Sequence, residues 1–193
     1  MSHFYSMIMR MKYIKRWGLM RNTHEENLSE HSLEVALIAH ALAVIGNRRF
    51  GKNVNPDRAA VIGMFHDTTE ILTGDLPTPI KYYNPEISEA YKKIESVAGE
   101  QLIDLLPEDM REDFADIYSC EDQEVLKTVK AADKISALIK CQNELSLGNR
   151  EFAAAEKSTL KSIKAMKLPE ADVFLSEFLP SFSQSLDNMT IKK

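Results

Sequence analysis

The sequence is poor in cysteine: Cys120 and Cys141 are the only two in 193 residues. Two thiols make no disulfide framework, and no CxxC pair occurs, so a reducing compartment is expected. Positive charge is also in deficit, with 24 Lys and Arg against 29 Asp and Glu and a net charge of −5. That balance argues against a general binder of nucleic acid or of anionic membrane. A small phosphorylated ligand reads local charge only and stays open. No run of about 18 apolar residues occurs, so no membrane span is expected. The opening stretch "MSHFYSMIMRMKYIKRW" scatters charges among its apolar positions, has no small-residue cleavage site, and does not read as a signal peptide. A cytoplasmic protein is expected. Alternating strand patterns, internal repeats, low-complexity segments and linker-like breaks are all missing. With 44% hydrophobic residues, the chain reads as one all-α domain spanning residues 1–193.

What is present is helical spacing. Apolar residues recur at i, i+3 and i+4, with Gly or Pro at the ends. Met7, Ile8, Met11 and Ile14 predict a first helix ending near Trp17-Gly18. Asn27 and Glu30 predict a capping box opening a second helix that reaches Gly46. Asn55-Pro56 opens a third, expected to stop at Gly74, and Asn84-Pro85 a fourth, ending before Pro107. A short fifth covers 108–118, and a long sixth runs from about Glu121 to Leu147. A seventh ends before Pro169, and an eighth follows it.

The third segment carries the chemistry. "GMFHDTTEILTGDLPTP" sets His66 and Asp67 in an apolar helix. Glu70 follows four and three residues later, so at about 100° per residue all three share one patch. Ionisable groups clustered on a buried face need a cation or a hydrogen-bond network to offset their desolvation. Two further candidates sit in apolar helices: His31 in "LSEHSLEVA" and Asp133 in "VKAADKISALIK". Together His31, His66, Asp67 and Asp133 offer two nitrogens and two oxygens. That mixed set suits a divalent first-row ion such as cobalt, manganese, iron, nickel or zinc. His40 lies about 180° round the helix from His31 and cannot join them. His3 and His24 are expected at the surface.

A histidine, a His-Asp pair and a distant aspartate resemble the HD-domain phosphohydrolase superfamily. "RWGLMRN", "SEHSLEVA", "HDTTEILTGDLPTPIKY" and "KAADKISALIKC" more closely resemble the bacterial 5'-deoxynucleotidases of the YfbR type, over almost the whole chain. The resemblance implies an all-α HD-domain bundle that is a homodimer and hydrolyses deoxyribonucleoside 5'-monophosphates. It implies one divalent transition metal, cobalt, manganese or similar, on His31, His66, Asp67 and Asp133. It makes Glu70 the catalytic acid or base. Arg16 becomes a phosphate-binding catalytic residue. Trp17, Asp75, Leu76, Pro77 and Thr78 are placed at the substrate, which His31, Asp67 and Asp133 also touch. Two departures stand out. Thr68-Thr69 replaces the family's small residue and serine, and Gly18 replaces its proline. Glu70 is followed by Ile71, not by the second acid of guanosine polyphosphate hydrolases. The Gly-Tyr-Pro extension of cyclic-dinucleotide hydrolases is absent. Other HD phosphohydrolases, acting on nucleoside triphosphates or cyclic nucleotides, are the alternative. A non-catalytic nucleotide-binding HD module is a further one.

Overall fold

The computed structural model describes residues 1–81 and 83–189. Among these, every named element is helical, and the one piece of sheet-like pairing is an isolated bridge between Lys15 and Asn27. The central helix is α2 (Leu28–Phe50), reached from a short α1 (Phe4–Ile8) and a 3₁₀ stretch (Met9–Tyr13). Asn27 accepts from Ser29 N and Glu30 N, and the Glu30 carboxylate accepts from Asn27 N at 3.1 Å, so the capping box forms. The helix outruns its expected stop at Gly46 and ends at Gly51, whose φ of 67° is the left-handed cap that glycine favours.

Helix α2 is apolar almost all round, and by length and composition it could cross a membrane. Its packing explains that composition: α3 (Pro56–Phe65), α8 (Gln123–Ser146) and α10 (Pro169–Val173) all lie against it. Val35, Leu42, Ile62, Val125, Ile135, Leu138 and Ile163 form the main core between α2, α3, α8 and α9 (Ala153–Ala165). A smaller cluster, Phe4, Leu102 and Leu106, joins α1 to α6 (Pro85–Asp104). Phe65 and Phe114 pack against it, the latter from α7 (Arg111–Tyr118). Asn55 and Asn84 cap α3 and α6 by accepting from Arg58 N and Ile87 N, each with Pro at the first helical position. The last expected helix changes pitch, from α10 to a π turn over Phe174–Phe178 and then 3₁₀.

The third expected helix is the main correction. It stops at Phe65, turns through residues 66–69, and resumes as the single turn α4 (Glu70–Thr73). Thr68 is the physical reason. Its N–H and its hydroxyl both donate to Phe65 O, at 3.1 and 2.8 Å, closing a tight turn where the helical ladder would have continued. Tyr118 OH holds the same hydroxyl at 2.9 Å. The first helix also ends sooner than expected, so Arg16 and Trp17 sit in a loop beyond the Lys15–Asn27 bridge and not on a helix end.

Candidate metal centre

Close approach of α2 and α3 creates the site. A Cβ on Gly63 would stand 3.1 Å from Ala36 Cα, so any side chain here would push the two helices apart by a few tenths of an ångström. It brings the His31 and His66 rings to 5.3 Å between centroids. Helix α8 closes the third side with Asp133, flanked by the fully buried Ala131 and Ala132. One ligand atom each from His31, His66 and Asp133 lies within 4.8 Å of the other two, which is the spacing of a shared cation.

The hydrogen bonds behind the imidazoles fix which nitrogen faces inward. His66 Nδ1 is 2.7 Å from Gly63 O, which can only accept, so Nδ1 carries the proton and Nε2 offers a lone pair. His31 Nδ1 is 3.0 Å from Ser136 Oγ, which itself donates to Glu34 at 2.8 Å. Ser136 therefore accepts from Nδ1, leaving His31 Nε2 free. Both Nε2 atoms are buried with no hydrogen-bond partner among the described residues. His31 Nε2 is 3.2 Å from Asp133 Oδ1, and His66 Nε2 is 3.0 Å from Asp67 Oδ2, yet neither contact is aligned as a hydrogen bond. Orphaned lone pairs facing carboxylates fit a divalent transition metal, with outer hydrogen bonds setting the ligand tautomers.

Titration follows the same charges. Burial opposes charge on His66, but Asp67 and then Asp133 outweigh it and push the imidazole up to about 9. Burial would raise Asp67, but His66, His31 and Arg16 hold it well below the usual carboxylate range. Burial lowers His31 against the pull of Asp133. Burial likewise opposes the charge on Asp133, and His31 more than offsets it. Without a cation these carboxylates draw a second proton onto His66 Nε2, and a bound cation would take that proton's place.

Around the cluster lie the other expected residues. Glu70 is buried, and burial, then Asp67 and Asp75, push its carboxyl up to about 8. Its Oε2 has no partner among the described residues, and its Oε1 is 3.8 Å from Lys81 in α5 (Thr78–Lys81). Because the helix breaks, Glu70 is not on one helical patch with His66, and both Glu70 and Asp67 stand outside the three-residue cluster, Asp67 with its Oδ2 3.0 Å from His66 Nε2. Arg16 reaches Asp67 Oδ2 with a terminal nitrogen at 3.4 Å. Trp17 packs on Phe152, 5.3 Å between centroids. Asp75, Leu76 and Pro77 are half-buried in the loop after Gly74. Burial raises Asp75 above its ordinary value, and Arg16 only partly offsets that rise. The side chain of Thr78 lies outside the described part of the structure. His40 points away, half-exposed and 3.7 Å from Asp57, while His3 and His24 are exposed as expected.

Sequence reading missed Glu26, Glu34, Ser136 and Lys81. Ser136 had a signal, standing three residues after Asp133 and so one turn along the same face. Lys81 is held at 2.9 Å by Glu95 and lies 4.6 Å from the Tyr91 ring centre. A cavity of about 350 Å³ lies between α4 and α6 and another of about 330 Å³ beside Glu26 and Glu34, and neither is lined by His31, His66, Asp67 or Asp133. The open approach is past Asp133, whose side chain is 38% exposed.

The helical order and the His, His-Asp, Asp cluster define an HD-domain phosphohydrolase. An HD-domain phosphohydrolase from Listeria innocua superposes with a TM-score of 0.80 at 22% identity, covering 93% of this chain and 88% of the other. A cyanophage S-2L HD phosphohydrolase, bound to dA and one catalytic Zn²⁺ ion, superposes with a TM-score of 0.66 at 18% identity, covering 91% and 96%. More particularly, the chain belongs to the 5'-deoxynucleotidase YfbR-like family, which matches residues 3–182. A 5'-deoxynucleotidase of Vibrio vulnificus is 51% identical over 191 residues, covering 98% of each chain.

Proposed function

We propose that the protein hydrolyses deoxyribonucleoside 5'-monophosphates to deoxyribonucleosides and phosphate. The observation that carries this reading is the pair of buried Nε2 atoms, unpartnered among the described residues, that face Asp133 and Asp67 beside an arginine and a protonatable glutamate. His31, His66 and Asp133, with Asp67 as fourth ligand, would hold one divalent transition metal, cobalt, manganese or similar. Such an ion supplies Lewis-acid polarisation of a phosphoryl oxygen and acidifies a water. Arg16 presents its remaining guanidinium N–H groups to the phosphate, in the planar fork that matches two oxygens. Glu70, with an unpartnered oxygen, orients the attacking water and takes its proton. Trp17 walls the sugar, so that a 2'-hydroxyl clashes or stays unpaired, and Asp75 accepts from the 3'-hydroxyl. Leu76, Pro77 and Thr78 complete that side.

A homodimer and a cytoplasmic location belong to the same reading. Leu33 and Leu37, at 56% and 65% exposure, with Val44 form an exposed apolar row on α2, which supports a partner. Both cysteines are free thiols, which supports a reducing compartment. The test is a panel of 5'-deoxymonophosphates, 5'-ribomonophosphates, triphosphates and cyclic nucleotides assayed with the metal-loaded protein. Preference for the 5'-deoxymonophosphates is expected. Preference for triphosphates or cyclic nucleotides would move the protein to another HD phosphohydrolase activity, and binding without turnover to a nucleotide-binding module.

A further inference from the structure

Glu26 is a buried acid in the loop that returns to α2, and it stands behind Arg16 and Trp17. Its Oε1 accepts from Arg16 Nε at 3.1 Å, and its Oε2 accepts from Trp17 Nε1 at 3.1 Å. The same Oε1 is 3.5 Å from His31 Nδ1. Its backbone carbonyl accepts from Arg16 N at 3.0 Å. One residue therefore grips Arg16 through backbone and side chain, and reaches three side chains of the site.

The backbone shows why a grip is needed. Trp17 has φ 58°, in the left-handed region that a bulky side chain rarely adopts and keeps only where its surroundings hold it. Met20 N and Asn22 Nδ2 both donate to Trp17 O, at 2.9 and 3.3 Å, which holds the peptide but not the indole. Phe152 packs on the ring, and among the described residues only Glu26 fixes its polar edge. The arginine is tethered the same way: with Nε on Glu26, its Nη1 turns toward Asp67.

We propose that Glu26 is a positioning residue that holds the Arg16 fork toward the phosphate and the Trp17 indole against the sugar, and so sets the preference for deoxyribose over ribose. This rests on the deoxynucleotidase reading above. Both donors need an acceptor, and a carboxylate has two. Glutamine at the same place keeps the shape but turns one acceptor into an NH₂ donor, so one of the two grips is lost.

The experiment compares wild type with Glu26→Gln, and with Glu26→Asp should the glutamine variant not fold. In each, kcat/KM is measured for a deoxyribonucleoside 5'-monophosphate and its ribo counterpart. The deoxy-to-ribo ratio should fall by about tenfold or more, the worth of a hydrogen bond to a charged group. A merely structural role would lower kcat for both sugars alike and leave the ratio unchanged, and that result overturns the proposal. A second readout needs neither metal nor substrate. Trp17 is the only tryptophan, so the single indole N–H resonance reports this contact. It should exchange slowly with solvent in the wild type and quickly in the variant. A freely exchanging indole in the wild type also overturns the proposal. Wild-type protein that cleaves neither nucleotide would sink the deoxynucleotidase reading and the sugar-setting role with it, while indole exchange would still decide whether Glu26 holds Trp17.

Discussion

Removing Glu144 should loosen the loop that carries Arg16 and Trp17. The Glu144 side chain is 1% exposed and sits on α8 beneath residues 17–26. Its Oε2 accepts from Thr23 N and Asn149 Nδ2, both at 2.8 Å, and its Oε1 from His24 N at 3.1 Å and Lys140 Nζ at 2.5 Å. Glu144→Ala strands two backbone N–H groups and a buried ammonium that also donates to His24 O. Breaking a buried pair by removing one partner costs about 3–5 kcal/mol. At about 2–4 °C per kcal/mol for a chain of this size, Tm should fall by about 10 °C. The loss should depend on pH in one direction. Burial would raise the Glu144 carboxyl, but Lys140, Asn149 and the Thr23 and His24 N–H groups hold it well below its ordinary value of 4.5. A depressed folded pKa contributes stability above the unfolded value and loses it as pH falls through the folded one. Denaturant unfolding of wild type and Glu144→Ala should therefore differ by a constant amount from pH 6 to 8, with the difference shrinking below about pH 4.5. A difference under about 1 kcal/mol at pH 7, where an unmade buried hydrogen bond alone is worth more, would refute the reasoning.

Gly63→Ala should be destabilised by about 1–3 kcal/mol, because its Cβ meets Ala36 and Val35 backbone that cannot rotate away. Metal affinity should drop with it as His66 moves from His31, which titration calorimetry would read. Glu70→Gln should lower kcat by about 10²–10⁴ while binding metal as the wild type does; unchanged turnover would remove Glu70 from the mechanism. Metal at about 100 times its Kd should stabilise the wild type by about 2.7 kcal/mol. Asp133→Ala should lose most of that gain, and an equal gain in a melting curve would remove Asp133 as a ligand.

The long helices and most of their caps were legible because Asn27, Asn55 and Asn84 act through residues three or fewer away. The break at Phe65 was not, because it depends on what Thr68 finds: its hydroxyl turns back on Phe65 O and meets Tyr118 from α7, a partner fifty residues on. The histidines and aspartates stood out as charge in apolar helices. Glu26 did not, because "THEENL" reads as a solvated acidic loop until the fold brings Arg16 and Trp17 onto it. The expectation that His66, Asp67 and Glu70 share a helical face assumed an unbroken helix. The turn instead separates Glu70 from the ligand cluster, which suits a proton-transfer group more than a further ligand.

The most direct measurement is phosphate release from a deoxyribonucleoside 5'-monophosphate by metal-stripped protein, before and after adding back cobalt or manganese. No release before addition and rapid release after it, abolished in Asp133→Ala, is the expected result. Undiminished release by the stripped protein, or by Asp133→Ala, would contradict the assignment of His31, His66, Asp67 and Asp133 as the centre of a metal-dependent hydrolase.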